Sequence, residues 1–313
     1  MQPKTFVDRL LTDVSNKIVS KEHIADMIFP EKKVDNFTGL IGSYGNEHLR
    51  LVNTISAGEN GFPTVETVTR RTDMYSIETH GLKDFVYPAD YANFNKPFDA
   101  EKDKTALVTM QLKIGREKAL ADVLTDTNII TQNVTLSGNA QYDKRDHEDS
   151  NPIEDFCKAR ETIYNKTGMV PNTAVISWLV WNKLKNHQQL LAELGYKENR
   201  KGGLTLAELQ DIMEVEKIIV AKPIFNTAKK GQTDVFAPIW GRDILFYIRP
   251  SSAALAQTTL GYKFMPKGKK AFQTYKYNHE EPAGSKKIVV ENYYDDVIMN
   301  PNAGYLIKDA VAQ

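Results

Sequence analysis

Near the N-terminus Phe6, Leu10, Leu11, Val14 and Ile18 recur at the spacing of one helix face, which predicts a short amphipathic helix. The pattern then breaks. From Phe29 to Asn60 lie Pro30, glycines at 39, 42, 45 and 58 and scattered apolar residues, the profile of an extended arm without a core of its own. Between Phe62 and Asn93 Val, Thr, Tyr and Ile dominate, and the polar break Arg70-Arg71-Thr72-Asp73 predicts two long strands turning there as a hairpin. Asp99 is placed to cap a long helix reaching about Thr127, with Glu101 and Asp103 near the positive end of its dipole and Leu107, Met110, Ile114, Ala121 and Leu124 along one side. Gly115 lies inside that helix, where glycine costs about 1 kcal/mol relative to alanine and marks a point of bending.

Asn128 to Tyr142 reads as strand and Asp143 to Ser150 as a charged surface loop. Asn151 then caps a helix opened by Pro152 and Glu154, carrying Ile153, Phe156, Cys157, Ile163 and Tyr164 on one face and closed by Gly168. The turn Met169 to Thr173 leads into the buried-type run Ala174 to Ser177 and a Trp-rich segment with Leu184, His187, Leu191 and Leu194. A second capping box, Thr205 to Glu208, opens a helix with Leu206, Leu209, Ile212 and Met213, followed by a strand from Lys217 to Ala221. Val235 to Trp240 and Ile244 to Arg249 flank Gly241-Arg242-Asp243 as a predicted hairpin. Strand-like runs at Tyr262 to Phe264 and Lys287 to Tyr294 precede a C-terminal segment, Pro301 to Ile307. Helices and strands do not alternate regularly, so the fold class is α+β and not a doubly wound sheet.

A chain of 313 residues with 41% hydrophobic and 26% charged residues is expected to fold around a sizeable core. Forty basic residues balance forty acidic ones, which argues against tight binding to a polyanion by counterion release. The single cysteine, Cys157, has no partner for an intrachain disulfide and falls on a predicted apolar stripe, so a reducing compartment is expected. The start of the chain lacks a secretory signal pattern, and no apolar run is long enough to span a bilayer. The Asn-x-Thr triplets at Asn36, Asn133 and Asn165 are therefore read as chance matches.

The search for chemistry yields no site. The histidines at 23, 48, 80, 147, 187 and 279 are dispersed and lack zinc-ligand spacing. Cys157 has no nucleophile signature, and the glycines at 39, 42 and 45 lack the Lys-Ser/Thr ending of a phosphate loop. Asp143, Asp146, Glu148 and Asp149 lack the glycine turn and distal Glu of a calcium hand and read as a solvated loop. Lys267, Lys269 and Lys270, with Arg200 and Lys201, are small basic patches read as loop charges available for salt bridges between subunits. No catalytic, cofactor or metal residues are assigned, and the chain is read as a non-enzyme.

One resemblance covers nearly the whole chain. It rests on Phe29-Pro30, the segment Phe62 to Asn93, Arg116-Glu117 with Ala119-Leu120-Ala121-Asp122, and Val134-Thr135-Leu136-Ser137-Gly138 with Gln141-Tyr142. It continues through Asn151-Pro152-Ile153-Glu154-Asp155, Pro171 to Ser177 and Lys183-Leu184-Lys185-Asn186-His187. In their shared order these resemble the tailed-bacteriophage major capsid proteins with the fold named after phage Hong Kong 97. The resemblance implies an N-terminal arm (1–60), an extended E-loop hairpin (61–95), a peripheral domain with a long spine helix (96–150), an axial domain (151–275) and C-terminal strands returning to the peripheral domain (276–313). It further implies an icosahedral shell of pentamers and hexamers around double-stranded DNA, assembled in the host bacterial cytoplasm and resident in the virion. Portal, scaffold and decoration proteins are the implied partners, with packaged DNA contacted non-specifically and no membrane. Arg70, Arg71 and Asp73 at the expected hairpin tip, and Arg116 and Glu117 on the spine helix, are the expected contacts with a neighbouring subunit. Lys83 is the one lysine of the hairpin and lies toward its base, so the covalent crosslinking of some relatives is not carried over; nor is removal of a long N-terminal segment, since the arm begins close to Met1. Rival readings are an encapsulin-type container, a phage tail or baseplate component, and an enzyme with an unrecognised site.

Overall fold

The computed structural model describes residues 7–17, 23–44, 70–93, 99–195, 203–251 and 258–312. Two short helices and two strands open the fold: α1 (Arg9–Lys17), α2 (Ala25–Ile28), β1 (Glu31–Val34) and β2 (Thr38–Tyr44). Then come β3 (Arg70–Ser76), β4 (Glu78–Val86) and α3 (Pro88–Asn93). The long helix α4 (Ala100–Leu124) starts where its cap predicts, with the Asp99 carboxylate accepting from the N–H groups of Glu101 and Lys102 at 3.1 and 3.3 Å.

The apolar stripe of α4 changes face along its length. Thr105, Val108, Thr109 and Leu112 of the first half pack against one core, and Glu117, Leu120, Ala121 and Leu124 of the second half against another. At 3.6 residues per turn these two sets are rotated by about 120°. Leu107 and Met110, expected on the buried side, are therefore exposed, Leu107 at 52%. Gly115 falls between the two halves, and a Cβ there would meet nothing within 4 Å.

Beyond β5 (Asn133–Thr135), α5 (Pro152–Thr167) has Asn151 accepting from the Glu154 N–H at 3.1 Å and ends at Gly168 in the left-handed conformation, φ 70°. Phe156, Ala159 and Ile163 form its buried face. β6 (Thr173–Ser177) is buried along its whole length, as a continuous apolar run in a sheet interior demands. The chain continues through α6 (Trp178–Leu184), α7 (Gln188–Glu193), α8 (Leu206–Met213), β7 (Lys217–Ala221), β8 (Ile224–Asn226), β9 (Phe236–Pro238) and β10 (Ile244–Tyr247). Both halves of the Thr205–Glu208 capping box are present. It ends with β11 (Gly261–Pro266), β12 (Phe272–His279), β13 (Ser285–Ile298) and β14 (Gly304–Lys308).

β13 organises the first sheet. It pairs antiparallel with β12, β4 and β11, and β1 adds parallel to β11. The second sheet runs β5-β14-β10-β6-β7. α1 and the first half of α4 close a core of Leu11, Val86, Val108, Phe272, Ile288 and Val290 over the first sheet. The second half of α4 joins the larger core of α5 and the second sheet, with Phe156, Ile176, Phe246 and Leu306 buried; each such side chain contributes roughly 1.5–3 kcal/mol.

Several expectations are corrected. Arg70 to Asp73 is not a turn: β3 pairs with β2, in register Leu40↔Met74 and Tyr44↔Arg70, and the chain runs on through Ile77 into β4, which joins β13. The ribbon is thus built from residues 38–44 and 70–76, and the stretch 45–69 between its strands lies outside the described residues. Gly39 makes the ribbon possible, because a Cβ there would lie 2.6 Å from the Tyr75 hydroxyl packed across from it. Residues 24–34 are not an open arm either: Ile24, Ile28 and Phe29 are buried in the large core. The predicted hairpin around Gly241 does not form, since β9 pairs with β8 while β10 lies between β14 and β6. Of the strand predicted over Asn128 to Tyr142 only Asn133–Thr135 forms, and β12 was not predicted at all. The C-terminal residues divide, β13 serving the first sheet and β14 the interior of the second. Conversely β11, which falls in the 151–275 unit expected from the sequence, and β12, which straddles that unit's end, belong to the first sheet.

Candidate assembly surfaces

No described group of three or more His, Cys, Asp and Glu side chains converges as metal ligands would. His187 is buried, its Nε2 3.1 Å from the Ser150 hydroxyl, and burial pulls its imidazole down to about 4. The acidic loop is tied down locally: Asp143 accepts from the Ala312 N–H at 3.0 Å. Cys157 Sγ lies 3.3 Å from the Arg160 guanidinium. None of these residues joins a group of metal ligands among the described residues.

The spine-helix pair expected to face a neighbour is buried within the subunit. Arg116, 5% exposed, forms ion pairs with Asp26 and with Asp296, the latter at 3.3 Å. Lys263 reaches the same Asp26 at 2.8 Å. Desolvation opposes ionisation of Asp26, but the two cations prevail and hold its carboxyl well below the usual carboxylate range. Glu117 is fully buried and accepts from the N–H groups of Ile24 and Ala25 at 3.0 and 2.8 Å and from the Trp240 indole. Burial pushes its carboxyl up even against those donors. Arg116 and Glu117 therefore fasten α4 to α2, β13 and the segment before β10 within one subunit. At the N-terminus of α4, Glu101 plays a similar part, paired with Lys276 and, at 2.6 Å, with Lys286; burial opposes these bonds, yet they hold its carboxyl down to about 2.

The other predicted charges fall elsewhere. Arg70 and Arg71 occupy ribbon positions opposite Tyr44 and Ser43, and Asp73 lies opposite Ile41. Lys267 and Lys270 pair within the chain, with Asp35 at 2.9 Å and Asp13 at 2.7 Å, and Lys269 Nζ sits 3.5 Å from the centre of the Tyr293 ring. Arg200 and Lys201 lie outside the described residues.

What sequence reasoning missed is apolar. The inner face of the β2–β3 ribbon packs Ile41 and Tyr75 onto Tyr262, Phe264 and Tyr293, with the Tyr75 and Phe264 rings stacked at 4.7 Å. Its outer face presents Leu40 and Met74, a directly opposed pair, at 72% and 69% exposure. The β8–β9 hairpin presents Ile224, Val235 and Phe236, the last 62% exposed. The available signal is the pair of apolar doublets, Ile224-Phe225 and Val235-Phe236, around a polar stretch; the second doublet also opens the run Val235 to Trp240 of the hairpin that does not form. Between the ribbon base, β13 and α4 a cleft of about 390 Å³ is lined by Met74, Glu78, His80, Val123, Asp295 and Asp296, among others. Among the described residues no helix is long and apolar enough to cross a membrane.

No family model matches the chain. It is 27% identical over 318 aligned residues to the major capsid protein of Burkholderia phage BcepMu, covering 97% of this chain and 96% of that one. It is 22% identical to the major capsid protein of Pseudomonas phage JBD67, covering 98% and 97%. Among solved structures it resembles a phage-related protein from Bordetella bronchiseptica, at a TM-score of 0.74 and 24% identity over 98% of both chains. It also resembles the capsid of cyanophage P-SCSP1u, TM-score 0.58, 10% identity, covering 90% of this chain and 86% of that one. The SrpI encapsulin from Synechococcus elongatus matches at TM-score 0.54 and 8% identity, covering 94% and 89%. The fold is that of the Hong Kong 97-type phage capsids.

Proposed function

We infer that this chain is a phage major capsid protein, a structural subunit that assembles with copies of itself into a shell. The observation that carries this is likeness over nearly the full length, in sequence, to two phage major capsid proteins, joined to a capsid-type fold. The surface supports it. A two-stranded ribbon is marginally stable in water, and this one turns an opposed Leu–Met pair outward, which makes sense when a neighbour covers it. Such contacts between unlike patches are heterologous, and repeated rotation must close them into rings and then a shell. Each interface is modest and the lattice multiplies it.

In finer terms, the shell is icosahedral, made of pentamers and hexamers, encloses double-stranded DNA, and meets portal, scaffold and decoration proteins during assembly in the host cytoplasm. The balanced charge suits a container that touches its DNA without gripping it. The ribbon belongs to the E-loop, α4 is the spine helix, the first sheet the peripheral unit and the second sheet the axial unit. The protein acts as architecture and not as an enzyme. An encapsulin-type container is the second reading, favoured by the structural likeness to SrpI, though its 8% identity is far below that to the phage proteins. Electron microscopy of the purified protein is the test. Closed shells are expected; tubes or open rings would point to a tail component, and dimers under every ionic condition would overturn the reading.

A further inference from the structure

The cleft beside α4 and the β8–β9 hairpin carry complementary, unsatisfied chemistry. Met74, Ala119, Leu120 and Val123 give the cleft apolar walls, and Glu78, Asp295 and Asp296 supply carboxylates. Asp296 is taken by Arg116, and Asp295 accepts the Ser76 N–H at 2.7 Å. Neither Glu78 nor Asp295 has a lysine or arginine partner among the described residues. Burial, with Asp296 and Glu78 nearby, pushes the Asp295 carboxyl up, so an incoming cation would relieve it.

The hairpin is the converse. Ile224 and Phe236 lie on its outer face, and the exposed Lys222, Lys229 and Lys230 form no ion pair among the described residues. It is stiff, because the Asn226 side chain accepts from the N–H groups of Ala228 and Val235 at 3.0 and 3.1 Å and donates to Asp234 at 2.7 Å. A preorganised loop loses little freedom on docking. Its base lies beside α4, with Lys118 Nζ 5.5 Å from the Phe225 ring, whereas Arg116, Ala119 and Val123 of the same helix face the cleft. From Lys118 to Val123 is about 140° around the helix. The two surfaces thus lie on opposing flanks of one element and are set to meet between subunits, head to tail.

We propose that the acidic, apolar-walled cleft between β3, β4, β13 and α4 receives the β8–β9 hairpin of a second copy of this chain. This rests on the shell-forming reading and adds a specific pair of surfaces to it. Phe236 fills the apolar floor near Met74 and Val123, and Lys229 and Lys230 reach Glu78 and Asp295.

The test uses the full chain in a Cys157→Ala background. With Met74→Cys and Phe236→Cys, mild oxidation of assembled particles should give covalently linked oligomers on denaturing gels, and dissociated subunits should give monomers. Separately, Lys229→Glu with Lys230→Glu should lower particle yield, as should Glu78→Lys, and combining them should restore part of it while circular dichroism stays unchanged. Particles that form normally but show neither the crosslink nor the rescue overturn the docking and leave the shell reading intact. A cleft cysteine that links instead to a Leu40→Cys subunit gives the cleft to the neighbour's ribbon, which also overturns it. Failure of the unaltered chain to assemble, together with no crosslink in the double-cysteine chain, removes both.

Discussion

At the scale of single residues, the buried polar groups explain stability and not assembly. Asp296 is only 10% exposed beside Arg116, so Arg116→Met leaves a carboxylate in the interior without its cation. Breaking such a pair costs about 3–5 kcal/mol, and denaturant unfolding of the unassembled subunit should show a loss of that order. The sequence marks Arg116 and Glu117 as special, and the fold buries both among partners of their own subunit. A charged pair in a helix looks the same whether its partners come from the next subunit or from residues ninety positions earlier. His187 gives a pH dependence whose sign follows from burial. Its imidazole titrates at about 4 in the folded chain against about 6.5 unfolded, so the unfolded chain binds the extra proton first. The stability held above about pH 6.5 is therefore lost as pH falls toward 4, by up to about 3 kcal/mol. His187→Gln, which keeps a partner for Ser150, should flatten the fall in melting temperature over that window.

At the scale of elements, caps and periodicity located helices well because both act within a few residues. Asp99, Asn151, Thr205 and Gly168 do in space what their neighbours in sequence announce. Strand pairing was less legible. The sequence pairs residues before Arg70 with residues after Asp73 because they adjoin, but Arg70–Ser76 pairs with β2, and β13 offers β4 a nine-residue antiparallel register, Val86↔Lys286 to Glu78↔Tyr294. The change of buried face along α4 was equally hidden, since it depends on two cores that no local pattern describes. Gly115 lies at that change with open space around it. Gly115→Ala should leave the subunit folded, raise its stability by up to about 1 kcal/mol, and slow any conversion of precursor shells that bends α4. Light scattering of expanding particles measures this, and kinetics equal to the unaltered protein would discard Gly115 as the hinge.

At the scale of the whole molecule, the exposed ribbon face separates folding from assembly. Leu40 and Met74 stand outside every core cluster, while their strand neighbours Ile41 and Tyr75 are buried. Leu40→Glu with Met74→Glu should leave circular dichroism and melting of the subunit nearly unchanged, because surface substitutions away from packed features cost little. Particle yield by sedimentation should fall sharply, since a buried interface would then hold uncompensated charge. Normal yield from this variant would place the ribbon outside the contacts between subunits.

The sequence by itself determined the α+β class, the longer helices α1, α4, α5 and α8 with the caps of the last three, the buried strand at Thr173–Ser177 and the capsid-like order of elements, because these depend on short-range periodicity and on motifs kept in a row. Only the tertiary structure decided which strands pair, which way Arg116 and Glu117 point, and which apolar side chains remain uncovered. Those outcomes are set by contacts between residues tens to hundreds of positions apart, and a side chain's neighbours at that distance leave no mark on the residues beside it.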